Sequence, residues 1–197
     1  MSKDQKKENE VHHILMITDT GLVTNQLRKR LISNSSDRAI IIAPQGQSVT
    51  PLSNQREALF HIDLNQSAGL RDLMTKQNFD TLYLNLTNYL KSIPTILQNI
   101  KGSTVKNLIL ILNAKEPQPE TAAITKMIKN GQIPYLIIRT ARLSQHNLLS
   151  YQVVKNAQPV NDSSVSTVSV ADLTFQAIEA PQLHADTDLG IAQLPYK

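Results

Sequence analysis

The chain has 197 residues, a hydrophobic fraction of 41% and an aromatic fraction of 4%, enough for one folded domain with a core of Ile, Leu and Val. Its net charge is only +4 and its positive residues are scattered, which argues against a nucleic-acid partner. Cysteine is absent, which excludes disulfides and thiolate chemistry, and no apolar run approaches the roughly 18 residues of a membrane span. Residues 1–12 read as a polar tail without the pattern of a signal peptide, so a cytoplasmic protein is expected.

From residue 13 onward, apolar runs alternate with helical patterns. His13 to Ile17 reads as a buried strand, followed by a helix with Val23, Leu27 and Leu31 on its inner face. The densest basic run, Arg28-Lys29-Arg30, falls on this helix and reads as a solvated face. Arg38 to Ala43 is a second strand, stopped by Pro44 and Gly46, and a polar loop follows to Arg56. Leu59 to Ile62 is a third strand, and Leu70, Leu73 and Met74 mark the next helix. Thr81 to Leu86 is a fourth strand, with a helical stripe at Leu90, Ile93, Ile96, Leu97 and Ile100. Val105 to Leu112 is the most continuous apolar run and is placed at the sheet's centre. A helix over Glu120 to Asn130 ends at Gly131 in a C-cap position, and Tyr135 to Arg139 is a sixth strand.

Strands separated by helices of this length predict a doubly wound parallel sheet in three layers, α/β/α. After about residue 140 the alternation breaks. Tyr151 to Lys155 reads as a short strand, Val160 to Thr167 as a polar loop, Val170 to Ala180 as a last helix, and Leu189 to Leu194 as a return to the sheet. This segment is expected to cap the crevice at the strands' carboxyl ends, where ligands bind in such sheets. The expected organisation is a tail over 1–12 and one domain over 13–197.

Five phrases carry a resemblance: the glycine turn after the first strand, LFHIDL, VKNLILIL, YLIIRTARL and VSVADL. In order and spacing they resemble the NAD(P)H-binding, NmrA-like group of atypical short-chain dehydrogenases, over residues 13 to 194. The resemblance implies a Rossmann fold and NADP or NAD as cofactor. It places Thr18 at the family's first glycine, Asp19 at its alanine, Thr20 at its threonine, Gly21 at its second glycine and Thr24 at its third. Leu22 and Val23 then offer the helix N–H groups to a phosphate. Asp63 and Leu64 fall at the family's strand-three aspartate, which reads adenine; a local helix-capping role for Asp63 is the alternative. Asn85 and Leu86 replace small residues that pack on the cofactor, and Asn113 stands where a catalytic serine would be.

The match is eroded. Threonines replace two glycines of the turn, Asp19 adds negative charge beside the pyrophosphate position, and the second strand ends in Ala43-Pro44-Gln45 with no group to read the ribose. Thr18, Asp19 and Thr20 are expected to fill the space above the sheet, with the Asp19 carboxylate capping the N–H of Leu22 or Val23. No catalytic residue is assigned. Tyr151 and Lys155 have the Tyr-x-x-x-Lys spacing but follow the sixth strand, and Arg139 and Arg142 either meet an anion or are solvated. No metal-ligand set is expected, because His12 and His13 are adjacent on a strand and face opposite ways.

The expected function is a non-catalytic sensor or interaction module with weak nucleotide binding. The alternative is an atypical NAD(P)H-dependent reductase acting on a small molecule without a Tyr-Lys pair. A nucleotide or small-molecule ligand is expected; a protein partner or homo-oligomer stays open, and a membrane partner is not expected.

Overall fold

The computed structural model describes residues 11–19, 21–113, 119–155 and 164–194. Strand β1 (His13–Thr18) is buried along almost its whole length, as its apolar run requires, and turns into α1 (Leu22–Asn34). Strand β2 (Arg38–Pro44) follows, then the loop over 45–56, then β3 (Glu57–Ile62). Helix α2 (Ser67–Lys76) leads to β4 (Thr81–Asn85), and a single 3-10 turn (Leu90–Ser92) leads into α3 (Ile93–Asn99). Strand β5 (Asn107–Asn113), α4 (Pro119–Lys129) and β6 (Tyr135–Thr140) complete the regular alternation. Among the described residues no helix is long and apolar enough to cross a membrane.

The last part of the chain is richer than its sequence suggests. Two three-residue strands, β7 (Arg142–Ser144) and β9 (Ser164–Ser166), pair in parallel as a small separate sheet. Strand β8 (Gln152–Lys155) runs antiparallel to β10 (Thr187–Ala192), which itself runs parallel to β6. Helix α5 (Thr167–Glu179) starts three residues before the expected Val170. Its start is set by Ser166, whose hydroxyl accepts the Ser169 N–H at 3.0 Å, a side-chain cap inside what reads as a polar loop.

The main sheet has eight strands in the order β3-β2-β1-β4-β5-β6-β10-β8, parallel except for the β8 edge. One apolar cluster joins Val23, Leu27 and Leu31 of α1 to Val170, Leu173 and Ile178 of α5 over one face of the sheet. The other face carries Leu70 and Met74 of α2, Ile96 of α3 and Ile124 and Ile128 of α4. Both faces of the inner parallel strands are therefore covered, which is why those strands read as continuous rather than alternating apolar runs, while the edge strand β3 is half exposed. The segment after residue 140 does not act simply as a cap on the crevice: β10 and β8 extend the sheet and α5 packs against α1.

The basic run on α1 is not a solvated face. Arg28 is 2% exposed and grips Glu57 at the start of β3 with two hydrogen bonds, Nε to Oε1 at 2.9 Å and Nη2 to Oε2 at 2.8 Å. The same Nη2 donates to the Thr50 carbonyl at 2.7 Å. The β2–β3 crossover contains no helix, and this guanidinium fastens the loop that replaces one. Burial alone would raise the Glu57 carboxyl, but Arg28 and the Leu52 and Ser53 N–H groups outweigh it and hold the carboxyl below its ordinary range. Arg30 pairs with Asp172 and stacks over Phe175 at 5.3 Å, fastening α1 to α5. Only Lys29 of the three is exposed.

Candidate functional site

In a sheet of this order the strand sequence reverses between β1 and β4, and the crevice above their carboxyl ends is where a ligand binds. Thr18 and Asn85, the last residues of β1 and β4, are paired across this point. Asp19 continues the pairing by donating its N–H to the Asn85 carbonyl at 3.1 Å. Gly21 then provides the extended residue before α1, with φ −81° and ψ 160°. A β-carbon there would lie 3.3 Å from Asn85 Nδ2, so the turn stays close to β4 because this position is glycine.

The two threonines that stand in for glycines point down, beneath the turn. Thr18 and Thr24 are each 1% exposed, and their hydroxyls meet at 2.9 Å. Thr24 Oγ1 also lies 3.1 Å from the Tyr83 hydroxyl and accepts from Asn85 Nδ2 at 3.1 Å. The small volume that glycines leave between helix and strand is filled here by a four-residue polar knot. Burial pushes the Tyr83 phenol up above its ordinary pKa, so it is a neutral hydrogen-bonding member of the knot.

This arrangement corrects the expectation that Thr18 fills the space above the sheet, since its side chain is spent on Thr24. It also corrects the expectation for Asp19. The Asp19 carboxylate does not cap α1; its Oδ2 accepts the Asn88 backbone N–H at 2.9 Å and Asn88 Nδ2 at 3.2 Å. The carboxylate thus ties the loop after β1 to the loop after β4, across the point where the strand order reverses. A cap on α1 would satisfy one local donor, whereas Asn88 supplies two, one from the backbone and one from its side chain. Among the described residues no side chain caps the start of α1, and its first N–H groups, from Leu22 onward, have no intrahelical acceptor. Thr20 lies outside the described residues.

The other expected site residues are distributed around the crevice. Asp63 is held in a local turn, accepting the Asn65 N–H at 3.0 Å and Gln66 Nε2 at 3.1 Å, and Gln66, not Asp63, occupies the N-cap of α2. Leu64 and Leu86 are 4% and 1% exposed and serve as core. Leu22 is 50% exposed at the helix start, while Val23 is buried. Asn113 is exposed at the end of β5, and its neighbours 114–118 lie outside the described residues. At the end of β2, Pro44 accepts the Gln47 N–H in a tight turn through Gly46, φ +88°, and neither Pro44 nor Gln45 carries a charge for a ribose or phosphate.

Two candidates for proton or anion chemistry are occupied elsewhere. The Tyr151 hydroxyl donates to Asp172 Oδ2 of α5 at 2.9 Å; burial and the Asp172 carboxylate push its pKa up to about 12, the opposite of what a general acid-base tyrosine needs. Arg139 is neither an anion site nor solvated. It grips Asp188 of β10 at 2.7 and 3.0 Å, and Lys129 reaches the same carboxylate at 2.9 Å. Burial opposes ionisation of Asp188, yet these two cations hold its carboxyl below the ordinary range. Arg142 is exposed on β7.

No family model matches the chain, and no curated protein matches it. Solved structures do. A Rossmann-fold NAD(P)-binding family protein from Shigella flexneri is 22% identical, with a TM-score of 0.83 over 95% of this chain and 100% of that one. A short-chain dehydrogenase/reductase of the wide type from Veillonella parvula, solved with NADP, is 13% identical, with a TM-score of 0.78 over 93% and 95%. An anaerobillin reductase from Escherichia coli is 13% identical, with a TM-score of 0.79 over 94% and 98%. The fold is therefore the Rossmann-like NAD(P)-binding fold.

Tested against a dinucleotide, the residues present fit poorly. A helix start suits a phosphate, but the Asp19 carboxylate stands beside this one, its tie to Asn88 crosses the crevice, and the end of β2 offers no ribose reader.

Proposed function

We propose that this NAD(P)-binding fold serves as a non-catalytic sensor or interaction module that holds a nucleotide weakly at the β1–β4 crevice. The phrases shared with NmrA-like reductases support placing it beside that group, and a cytoplasmic setting goes with the reading. The observation that carries it is the Asp19–Asn88 tie, 2.9 Å long, across the reversal point of the sheet. An incoming pyrophosphate must either break that tie or sit next to a carboxylate, and both lower affinity. The N–H groups of Gly21, Leu22 and Val23 would face the phosphates with Asp19 beside them, and Asp63 and Asn113 would border the remaining ligand, while Thr18, Asn85 and Leu86 stay buried beneath the crevice. The absence of a free Tyr-Lys pair speaks against proton-transfer chemistry: Tyr151 is committed to α5.

The second reading, an NAD(P)H-dependent reductase that only places a nicotinamide against its substrate, is favoured by the start of α1 at the crevice, which no side chain of a described residue caps. Calorimetric titration of the wild-type protein with NADP and NAD separates the two. The expected dissociation constants are weaker than about 100 µM for both, less than about 5.5 kcal/mol of binding. Low-micromolar affinity for either would move the weight to the reductase.

A further inference from the structure

At the end of the sheet opposite the crevice, three chain segments converge. His12 immediately precedes β1, Asp37 lies just before β2, and Glu179 is the last residue of α5. Each offers one ligand atom, an imidazole nitrogen or a carboxylate oxygen, and these atoms lie within 4.8 Å of one another.

The environment of Asp37 is what marks the cluster. Asp37 is 5% exposed. Oδ1 accepts the His12 backbone N–H at 2.9 Å, but Oδ2 is buried with no hydrogen-bond partner among the described residues. A buried carboxylate oxygen left without a partner is costly, and such groups are ordinarily paired or bound to a metal. Among the described residues no lysine or arginine forms an ion pair with Asp37 or Glu179. The nearby Arg56 guanidinium is spent on the Ile32 and Ser35 carbonyls at the end of α1. Glu179 adds a second carboxyl instead of a cation. Among the described residues no cation faces these two carboxyls and the imidazole.

We propose that His12, Asp37 and Glu179 bind a divalent transition-metal ion of the zinc class. One nitrogen and two carboxylate oxygens form a donor set that zinc accepts, with water in the fourth position, and the two carboxylates balance the ion's charge. The imidazole disfavours magnesium and calcium, which take oxygen ligands. Donors on a tetrahedral zinc ion lie about 3.3 Å apart, given bonds of about 2.0–2.2 Å. The exposed Glu179 side chain can rotate to close the remaining gap. The ion would clip the start of β1 and the start of β2 to the end of α5, on the far side of the sheet from the nucleotide crevice, so the site stands whether or not a nucleotide binds.

The experiment is calorimetric titration of the tag-free full chain, stripped with a chelator, with zinc chloride, repeated on Glu179→Gln and His12→Gln. Melting curves with zinc and with magnesium accompany it. Saturable binding of one equivalent is expected, with a rise in Tm under zinc and none under magnesium, and a loss of affinity of at least about tenfold in each variant. Glu179 is exposed at a helix end, so Glu179→Gln retains the fold and decides the matter even if His12→Gln does not. No saturable binding, or variants that bind zinc as tightly as the wild type through the other histidines, would overturn the proposal.

Discussion

Arg28→Ala is expected to lower the stability of the protein by about 3–5 kcal/mol, the usual cost of removing one partner from a buried ion pair. Both side chains of the Arg28–Glu57 pair are 3% exposed, so solvent screens neither. The substitution leaves the Glu57 carboxylate buried with only the Leu52 and Ser53 N–H groups, and it releases the Thr50 carbonyl from its anchor. Denaturant unfolding at neutral pH measures the loss. The deficit should shrink on acidification, because without Arg28 burial raises the folded pKa of Glu57 above its unfolded value. Protonation then favours the folded state below the unfolded value, and that contribution fades as pH rises through the raised one. The double variant Arg28→Met, Glu57→Leu should recover much of the loss, since an apolar pair leaves no orphan charge. A loss below about 1 kcal/mol, the range of an exposed pair, would mean that Arg28 is not fastening the crossover.

Thr24→Val is expected to cost about 2–4 kcal/mol although it nearly preserves volume, because it removes the one oxygen shared by Thr18, Tyr83 and Asn85. Tyr83 is fully buried and Asn85 is 6% exposed, so neither finds water as a replacement. Thr24→Gly should cost about 0.3–0.5 kcal/mol more through the helix propensity of glycine. In neither variant should nucleotide affinity change much, because the Thr24 side chain lies beneath the turn and not in the crevice. Stability within about 0.5 kcal/mol of the wild type for Thr24→Val would show that the knot is not a structural unit.

The alternation of strands and helices was legible because the inner parallel strands are covered on both sides, so their sequences are short apolar runs between amphipathic helices. What escaped reading has identifiable physical causes. Strands β7 and β9 are three residues long, too short to carry a period. The start of α5 was hidden because its capping serine looks like any serine of a polar loop. Arg28 carries the same spacing as a solvated residue, and only Glu57, 29 positions away, makes it part of the interior.

The site was legible as composition but not as geometry. The missing glycines, and the lack of a charge at the end of β2, are visible in the sequence. That the threonines turn inward is not, because it depends on Tyr83 and Asn85 arriving from β4. Asp19 was assigned to its nearest donors, the start of its own helix, but its partner Asn88 lies 69 residues away. The cluster of His12, Asp37 and Glu179 joins positions spread over most of the chain, so no spacing rule exposes it.

The reading of the crevice rests on the charge of Asp19, and Asp19→Asn isolates that charge. The asparagine oxygen can still accept the Asn88 N–H, so the loop tie and the fold are retained while the negative charge beside the start of α1 is removed. Calorimetric titration of this variant and the wild type with NADP under the same conditions should show the variant binding about tenfold more tightly, equivalent to about 1.4 kcal/mol from relief of charge repulsion at a helix start. Equal affinity in the two proteins, or weaker binding by the variant, would contradict the view that Asp19 holds phosphate out of the crevice.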